Sequence, residues 1–108
     1  MNFFESELKK GNFMIPECLK CNDVIWPPSD YCSHCFGKIN WRKSEGIGTI
    51  LEFSKNNEVF FCLVEFEKKI RILGTLGIKS KPPEINKKVK LENCKMDGKN
   101  YNFTLVMI

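Results

Sequence analysis

The sequence lacks long apolar runs, has a single histidine and carries only a small excess of charge. No apolar run approaches the roughly 20 residues of a membrane-spanning helix, so we expect a soluble protein without a membrane span. The chain opens with charge where a secretory signal would be apolar, which predicts a cytoplasmic protein without disulfides. The net charge of +4 suits phosphate-bearing ligands, but it falls short of the dense basic stripe of a dedicated nucleic-acid binder.

Four of the six cysteines form two Cys-x-x-Cys pairs, Cys18 with Cys21 and Cys32 with Cys35. Four thiolates are the ligands that zinc takes in closed structural sites, whereas a catalytic zinc keeps an open position. The two-residue spacer lets both sulfurs of a pair face one ion. We therefore predict a structural Zn²⁺ site with these four cysteines as ligands. Iron in a rubredoxin-like centre uses the same ligands, and the sequence leaves that alternative open.

The residue after each pair is expected to take a left-handed turn, a conformation that glycine often supplies. Asn22 holds this place after the first pair, and asparagine is the usual residue other than glycine in the left-handed region. Phe36 and Gly37 follow the second pair. The turns that aim the sulfurs at one ion are therefore preserved.

A short amphipathic helix is predicted ahead of the cysteines. Asn2 is a candidate N-cap, Phe4 and Leu8 share one face, and Gly11 is a natural stop. A helix of about two turns is unstable alone. We therefore expect its apolar face to pack on the zinc module or on the neighbouring sheet, with contact to a partner protein as the alternative.

Two short strands are predicted within the cysteine region, which gives it the pattern of a zinc ribbon. Residues 24–26 form the first, which two prolines end, and residues 38–43 form the second. Trp41 lies in the second strand and is either a core residue or an exposed stacking platform, and core packing is favoured because large aromatics are mostly buried.

Beyond a linker at 44–48 the apolar pattern changes to a period of two, which indicates β-strands. Five runs show this pattern: 48–54, 58–67, 69–76, 87–96 and 100–108. Five strands in so short a stretch predict a small barrel. The chain is thus divided into a helix and ribbon, 1–44, and a barrel, 45–108.

Alternation within the barrel strands predicts which residues face inward. Phe60, Cys62, Val64 and Phe66 share one face, as do Tyr101, Phe103, Leu105 and Met107. Cys62 and Cys94 are interpreted as small core residues, because neither has a visible charged partner that would lower its pKa. Asp97-Gly98 is a type I′ turn signal between the last two strands.

The connection at 77–86 contains two prolines, so we expect an irregular loop where many OB-fold barrels carry a helix. Lys79 and Lys81 in this loop begin the one basic cluster of the sequence, with Lys87, Lys88 and Lys90 just after it. These lysines are either solvated charges on an edge strand, where they block aggregation, or contacts to a ligand.

The order of these motifs resembles the domain-of-unknown-function thirty-five family. The motifs that carry the resemblance are Phe4-Glu-Ser-Glu-Leu-Lys-Lys-Gly11, Ile15-Pro-Glu-Cys18-x-x-Cys21, Trp26-Pro-Pro28, Cys32-x-x-Cys35, Trp41 and Ser44-Glu-Gly46-Ile-Gly48-Thr49. The resemblance implies a mainly β fold, in which a short N-terminal helix and a rubredoxin-like zinc ribbon precede a five-stranded OB-fold barrel. Glu17 and Ser29 depart from the family pattern, which often has basic residues at both places.

The resemblance also implies a non-catalytic partner of thiolase-superfamily enzymes. In archaea such a protein bridges acetoacetyl-CoA thiolase and hydroxymethylglutaryl-CoA synthase and lines a shared CoA site. Candidate contacts for an acyl-CoA here are Trp41, Lys43, Lys79 and Lys81. Thiolase chemistry needs a Cys-His constellation, and the one histidine, His34, lies inside a cysteine pair. We therefore expect no enzyme activity from this chain.

Single-stranded nucleic-acid binding is the main alternative function. OB-folds often stack bases on aromatic side chains in a basic groove. Strand alternation here turns the aromatic residues of the second and fifth runs inward, which leaves few exposed rings for bases.

Overall fold

A computed structural model describes residues 3–32, 34–77, 80–98 and 100–108. The predicted N-cap Asn2 and the candidate ligand residue Lys79 lie outside these residues. A helix, α1 (Phe3–Lys9), precedes an antiparallel pair, β1 (Met14–Cys18) and β2 (Ile39–Lys43). Five longer strands follow: β3 (Ile47–Asn56), β4 (Val59–Phe66), β5 (Ile70–Leu76), β6 (Lys88–Asp97) and β7 (Asn100–Met107). The predicted mainly β fold with a short helix is confirmed.

The five longer strands form a closed barrel in the order β3-β4-β5-β7-β6. Antiparallel pairing joins β3 to both β4 and β6, while a short parallel pairing joins β5 to β7 at Thr75–Thr104 and Leu76–Leu105. Counted from the first barrel strand, this order is 1-2-3-5-4, the Greek-key order of the OB-fold. The predicted OB-fold barrel is confirmed, and its strands differ from the predicted runs by one or two residues at their ends.

The strand predicted at residues 24–26 does not form. Val24 makes only an isolated bridge to Glu17, and the N–H of Ile25 donates to the carbonyl of Pro16 at 2.9 Å. The two prolines that follow lack N–H donors, so the pairing cannot continue.

The last hairpin turns one residue later than predicted. Asp97 pairs with Asn100, so Asp97 belongs to β6 and not to the turn. Gly98 has a φ of 63°, which glycine adopts without a steric penalty.

The described part of the connection at 77–86 contains no helix, as predicted. Its path is fixed by Ser80, whose hydroxyl accepts a hydrogen bond of 3.0 Å from the N–H of Met107. The loop is therefore tied to the end of β7.

One apolar core runs from α1 through the start of β1 into the barrel. Phe13 is 2% exposed, and its ring centroid lies 5.6 Å from that of Phe66 and 5.4 Å from that of Phe103. Phe4 packs edge-on against Phe13 and Trp26. The helix therefore packs on the ribbon and the barrel together. This core contains residues from both sides of residue 44. The boundary between two modules at that residue stays a prediction.

The cysteine loops have a separate, much smaller core. Its buried members are Cys18, Ile25 and Cys32. The half-buried side chains of Cys35 and Ile39 pack against them. So few apolar side chains give these loops little stability of their own.

The inward faces of the barrel strands largely follow the predicted alternation. Val64, Phe66, Phe103 and Leu105 are buried, whereas Phe60 is half-buried and Tyr101 is 39% exposed. Burial, and then the neighbouring carboxylate of Glu5, raise the pKa of Tyr101. Tyr101 therefore lies at the rim of the core, beside the helix.

Cys62 and Cys94 are small core residues, as predicted. Both are free and buried, and burial raises the pKa of each thiol.

Gly48 lies within β3, at the point where the predicted linker 44–48 meets the predicted strand 48–54. It faces Phe66 on β4 and Val89 on β6. A Cβ at this position would collide with Cγ1 of Val64 and come within 3.1 Å of the Phe66 ring. Glycine is therefore needed here for close packing of the barrel.

We expect Gly48→Ala to lower the free energy of unfolding by about 1–3 kcal/mol, the cost of overpacking a filled core. Gly77→Ala is the control, because its added Cβ would lie no closer than 3.6 Å to any neighbour outside its immediate sequence. Urea denaturation of both variants measures the difference. Equal losses in the two variants would show that the space around Gly48 is not restrictive.

Candidate metal centre

Two similar turns present the four cysteines. The N–H of Asn22 donates to the carbonyl of Cys18 at 2.9 Å, and the N–H of Phe36 donates to the carbonyl of Cys32 at 2.8 Å. Asn22 and Phe36 have φ values of 61° and 56°. The left-handed residue predicted after each pair is therefore Asn22 in the first turn and Phe36 in the second.

Gly37 is needed for space near the sulfurs. A Cβ here would lie 3.1 Å from Sγ of Cys35 and 3.2 Å from Sγ of Cys18. These separations are tighter than ordinary van der Waals contact, so a side chain would displace the sulfurs.

The four sulfur atoms lie within 4.8 Å of one another. Sγ of Cys18 is 3.5 Å from that of Cys35, and Sγ of Cys21 is 3.7 Å from that of Cys32. Tetrahedral bonds of about 2.3 Å to zinc place sulfurs roughly 3.8 Å apart, so the four residues fit a zinc ion. The same geometry fits iron. A metal bound by all four would have a closed coordination shell, which suits a structural role.

Backbone N–H groups favour thiolates at two of these positions. The N–H of Cys21 lies 3.5 Å from Sγ of Cys18 and lowers the pKa of Cys18 to about 6. The N–H of Cys35 likewise lowers the pKa of Cys32. At Cys21 the N–H of Asp23 lowers the pKa, but the neighbouring Cys18, burial and the other two cysteines together outweigh it and raise the pKa to about 12. Four sulfurs this close favour full ionisation only when a cation lies among them.

The candidate acyl-CoA contacts occupy different parts of the surface. Trp41 lines a cavity beside α1, whereas Lys43 lines a cleft of about 250 Å³ that extends to Cys94 on β6. Lys81 is exposed in the loop before β6, and Lys79 lies outside the described residues. Contact of these four residues with an acyl-CoA stays a prediction.

Arg42 joins the ribbon to the barrel, a role that the sequence reading missed. Its Nε lies 3.2 Å from Oε2 of Glu17, and its Nη2 lies 2.6 Å from Oε1 of Glu67. Burial lowers the pKa of Arg42, but the two carboxylates outweigh burial and raise it. Glu17, which departs from the family pattern, thus has a structural partner.

The pairing of β1 with β2 was the signal that could have revealed this contact. Ile15 lies opposite Arg42, so Glu17 is its diagonal neighbour on the adjacent strand.

The basic cluster near β6 is exposed at Lys81, Lys87, Lys88 and Lys90. Nζ of Lys88 donates to Oγ1 of Thr49 at 2.7 Å. In the closed barrel β6 pairs with both β3 and β7, so these lysines lie on no sheet edge, contrary to the edge-strand interpretation. Contact of the other lysines with a ligand stays a prediction.

Among the residues that the structure describes, no helix has the length and apolar character to cross a membrane.

Residues 6–41 match the family model of the ChsH2 rubredoxin-like zinc ribbon domain. The whole chain is similar to a solved structure called the Ltp2-ChsH2(DUF35) aldolase, at 20% identity and a TM-score of 0.72, over 97% of this chain and 91% of that one. It is also similar to a DUF35-family protein of unknown function from Sulfolobus solfataricus, at 20% identity and a TM-score of 0.58, over 94% of this chain and 81% of that one. The predicted resemblance to the domain-of-unknown-function thirty-five family is confirmed. The ribbon-and-barrel fold of these structures spans this chain. No curated protein matches the sequence.

Proposed function

We propose that this protein is a non-catalytic accessory subunit of a thiolase-superfamily enzyme. The observation that carries the proposal is the whole-chain similarity to the Ltp2-ChsH2(DUF35) aldolase, whose name joins a DUF35 protein to an enzyme. At 20% identity this similarity concerns the fold. The assignment of a partner enzyme therefore rests on the family resemblance.

The nucleophiles of the chain support a non-catalytic role. Cys62 and Cys94 are buried thiols whose pKa values are raised, so neither favours the reactive thiolate. The remaining cysteines form the candidate metal centre, and His34 is exposed on the turn between two of them. The one histidine of the sequence thus belongs to the metal-centre turn and not to β4 or β6, the strands that carry Cys62 and Cys94.

Zinc is the metal we propose for the centre, held by Cys18, Cys21, Cys32 and Cys35. When bound, it supplies folding free energy to the two cysteine loops. The chain's contribution is to place four sulfurs and the turns that orient them. The ribbon can then present a rigid surface to another protein.

In its finer form, the proposal is that the chain bridges acetoacetyl-CoA thiolase and hydroxymethylglutaryl-CoA synthase in the cytoplasm. Trp41, Lys43, Lys79 and Lys81 are then candidate contacts to the shared acyl-CoA. Lysines suit the phosphates of CoA, and an aromatic ring suits its adenine.

Affinity capture of the tagged chain from cells that naturally make it tests the partner. We expect a thiolase-superfamily subunit at a fixed stoichiometry, identified by mass spectrometry and by its activity on acetoacetyl-CoA. Recovery of the chain as a monomer without such an enzyme would reject the proposal. Recovery of single-stranded nucleic acid that is released by salt would favour the alternative function.

A further inference from the structure

A small cavity with aromatic walls lies beside α1, next to the loop that leads to Cys32. It has a volume of about 170 Å³, and the residues that line it are Phe4, Pro28, Ser29, Asp30, Tyr31 and Trp41. Sites for cofactors and drug-sized ligands are usually clefts of roughly 300–1,000 Å³. This cavity is therefore suited to the end of a single side chain.

A further aromatic ring supports each of two walls of this cavity. Phe3 packs against Trp41 with ring centroids 5.0 Å apart. Phe36 stacks on Tyr31, with centroids 6.1 Å apart and planes within 20°. Each of the two wall rings therefore has an aromatic neighbour in addition to the residues that line the cavity.

Phe36 is an unusual residue for its position. It has a φ of 56°, a conformation costly for a bulky side chain, yet its ring is 76% exposed. Burial in a core therefore does not explain phenylalanine at this turn, and its described ring contact is with Tyr31. The cysteine turn accounts for the backbone conformation, and the stacking on Tyr31 is what the phenylalanine side chain adds there.

The charge of the cavity is negative. Of its six lining residues, Asp30 alone carries a charge, and this carboxylate forms no ion pair with any described residue. The chain has 17 lysines and arginines, so a free carboxylate here is not due to a shortage of cations. Aromatic ring faces add partial negative charge. Phosphate groups are disfavoured in such a site, and cations are favoured.

We propose that this cavity binds the guanidinium group of an arginine on the partner protein. Guanidinium is planar, stacks on aromatic faces and offers paired N–H donors to a carboxylate, whereas the lysine ammonium is a compact and strongly hydrated charge. The identity of the partner rests on the proposed function. An arginine in the cavity would occupy the Trp41 face there, so this proposal and contact of Trp41 with an acyl-CoA are alternatives.

Titration of the zinc-loaded, full-length chain by NMR tests this proposal. The probes are N-acetyl-arginine amide and its neutral isostere N-acetyl-citrulline amide, and the readout is the indole N–H signal of Trp41. We expect a saturable shift with the arginine probe and binding of the citrulline probe weaker by about fivefold or more. Asp30→Asn should weaken arginine binding by about fivefold. Asp97→Asn is the control: Asp97 lies in the last hairpin, and its substitution should leave arginine binding unchanged.

A Trp41 signal that does not saturate with the arginine probe would overturn the proposal. Equal binding of the two probes would do the same, because charge would then play no part, and so would tighter binding of adenosine monophosphate than of arginine. The titration contains no partner, so its failure is separate from failure of enzyme capture. Arginine binding without a captured enzyme would reject the proposed function and leave the cavity's role intact.

Discussion

Cys32→Ser is expected to abolish tight zinc binding and to unfold the two cysteine loops while the barrel stays folded. The buried members of the small core of these loops are Cys18, Ile25 and Cys32. Structural zinc contributes an apparent free energy of roughly 10–16 kcal/mol in small zinc domains at neutral pH, far more than so small a core can supply. By contrast, Phe13 and Ile15 belong to the core shared with the barrel. The helix and the first part of β1 should therefore remain packed.

The experiment compares zinc content and backbone amide NMR signals of the variant with those of the unmodified chain. Signals of residues 19–38 should collapse, and those of the barrel strands should persist. Cys62→Ser is the matched control, because it alters a buried cysteine in the barrel and should retain one zinc per chain. A Cys32→Ser protein whose loops stay ordered would show that the metal is not their main source of stability.

Phe13→Ala is expected to cost about 3–5 kcal/mol of unfolding free energy, the usual loss for a large aromatic residue in a core. Its ring contacts Phe4 on the helix and both Phe66 and Phe103 in the barrel. Because domains are stable by only about 5–15 kcal/mol, this loss removes a large fraction of the total. It should also loosen the helix from the barrel.

Urea denaturation, followed by tryptophan fluorescence and far-ultraviolet circular dichroism, measures this loss. Phe36→Ala is the control, because that ring is 76% exposed and should contribute far less to stability. If Phe13→Ala cost no more than Phe36→Ala, the core would not be shared between ribbon and barrel. Separate transitions in the unmodified chain would lead to the same conclusion.

The sequence predicts the barrel and the four metal ligands well, for different physical reasons. Alternation of apolar residues is a local property of a strand, so it marked β3 to β7 within one or two residues. The cysteine spacing reflects the geometry of a metal site directly, and the four sulfurs do lie together. Neither inference needed knowledge of contacts between distant segments.

Most of what the sequence left out is decided by contacts between distant segments. The packing restriction at Gly48 was missed because it comes from Val64 on the neighbouring strand. The contacts of Arg42 depend on strand register and on a carboxylate 25 residues away. Likewise, the shared position of Phe4 and Phe13 appears only after the helix has packed against the barrel.

The rate of the captured enzyme on acetoacetyl-CoA, measured as this chain is added back, tests the central claim most directly. We predict that the isolated chain shows no turnover. The rate of enzyme from which the chain has been removed should change as the chain is added back, until a fixed stoichiometry is reached. Turnover by the isolated chain would contradict a non-catalytic role. A rate that does not respond to the added chain, with no complex formed, would contradict its role as an accessory subunit.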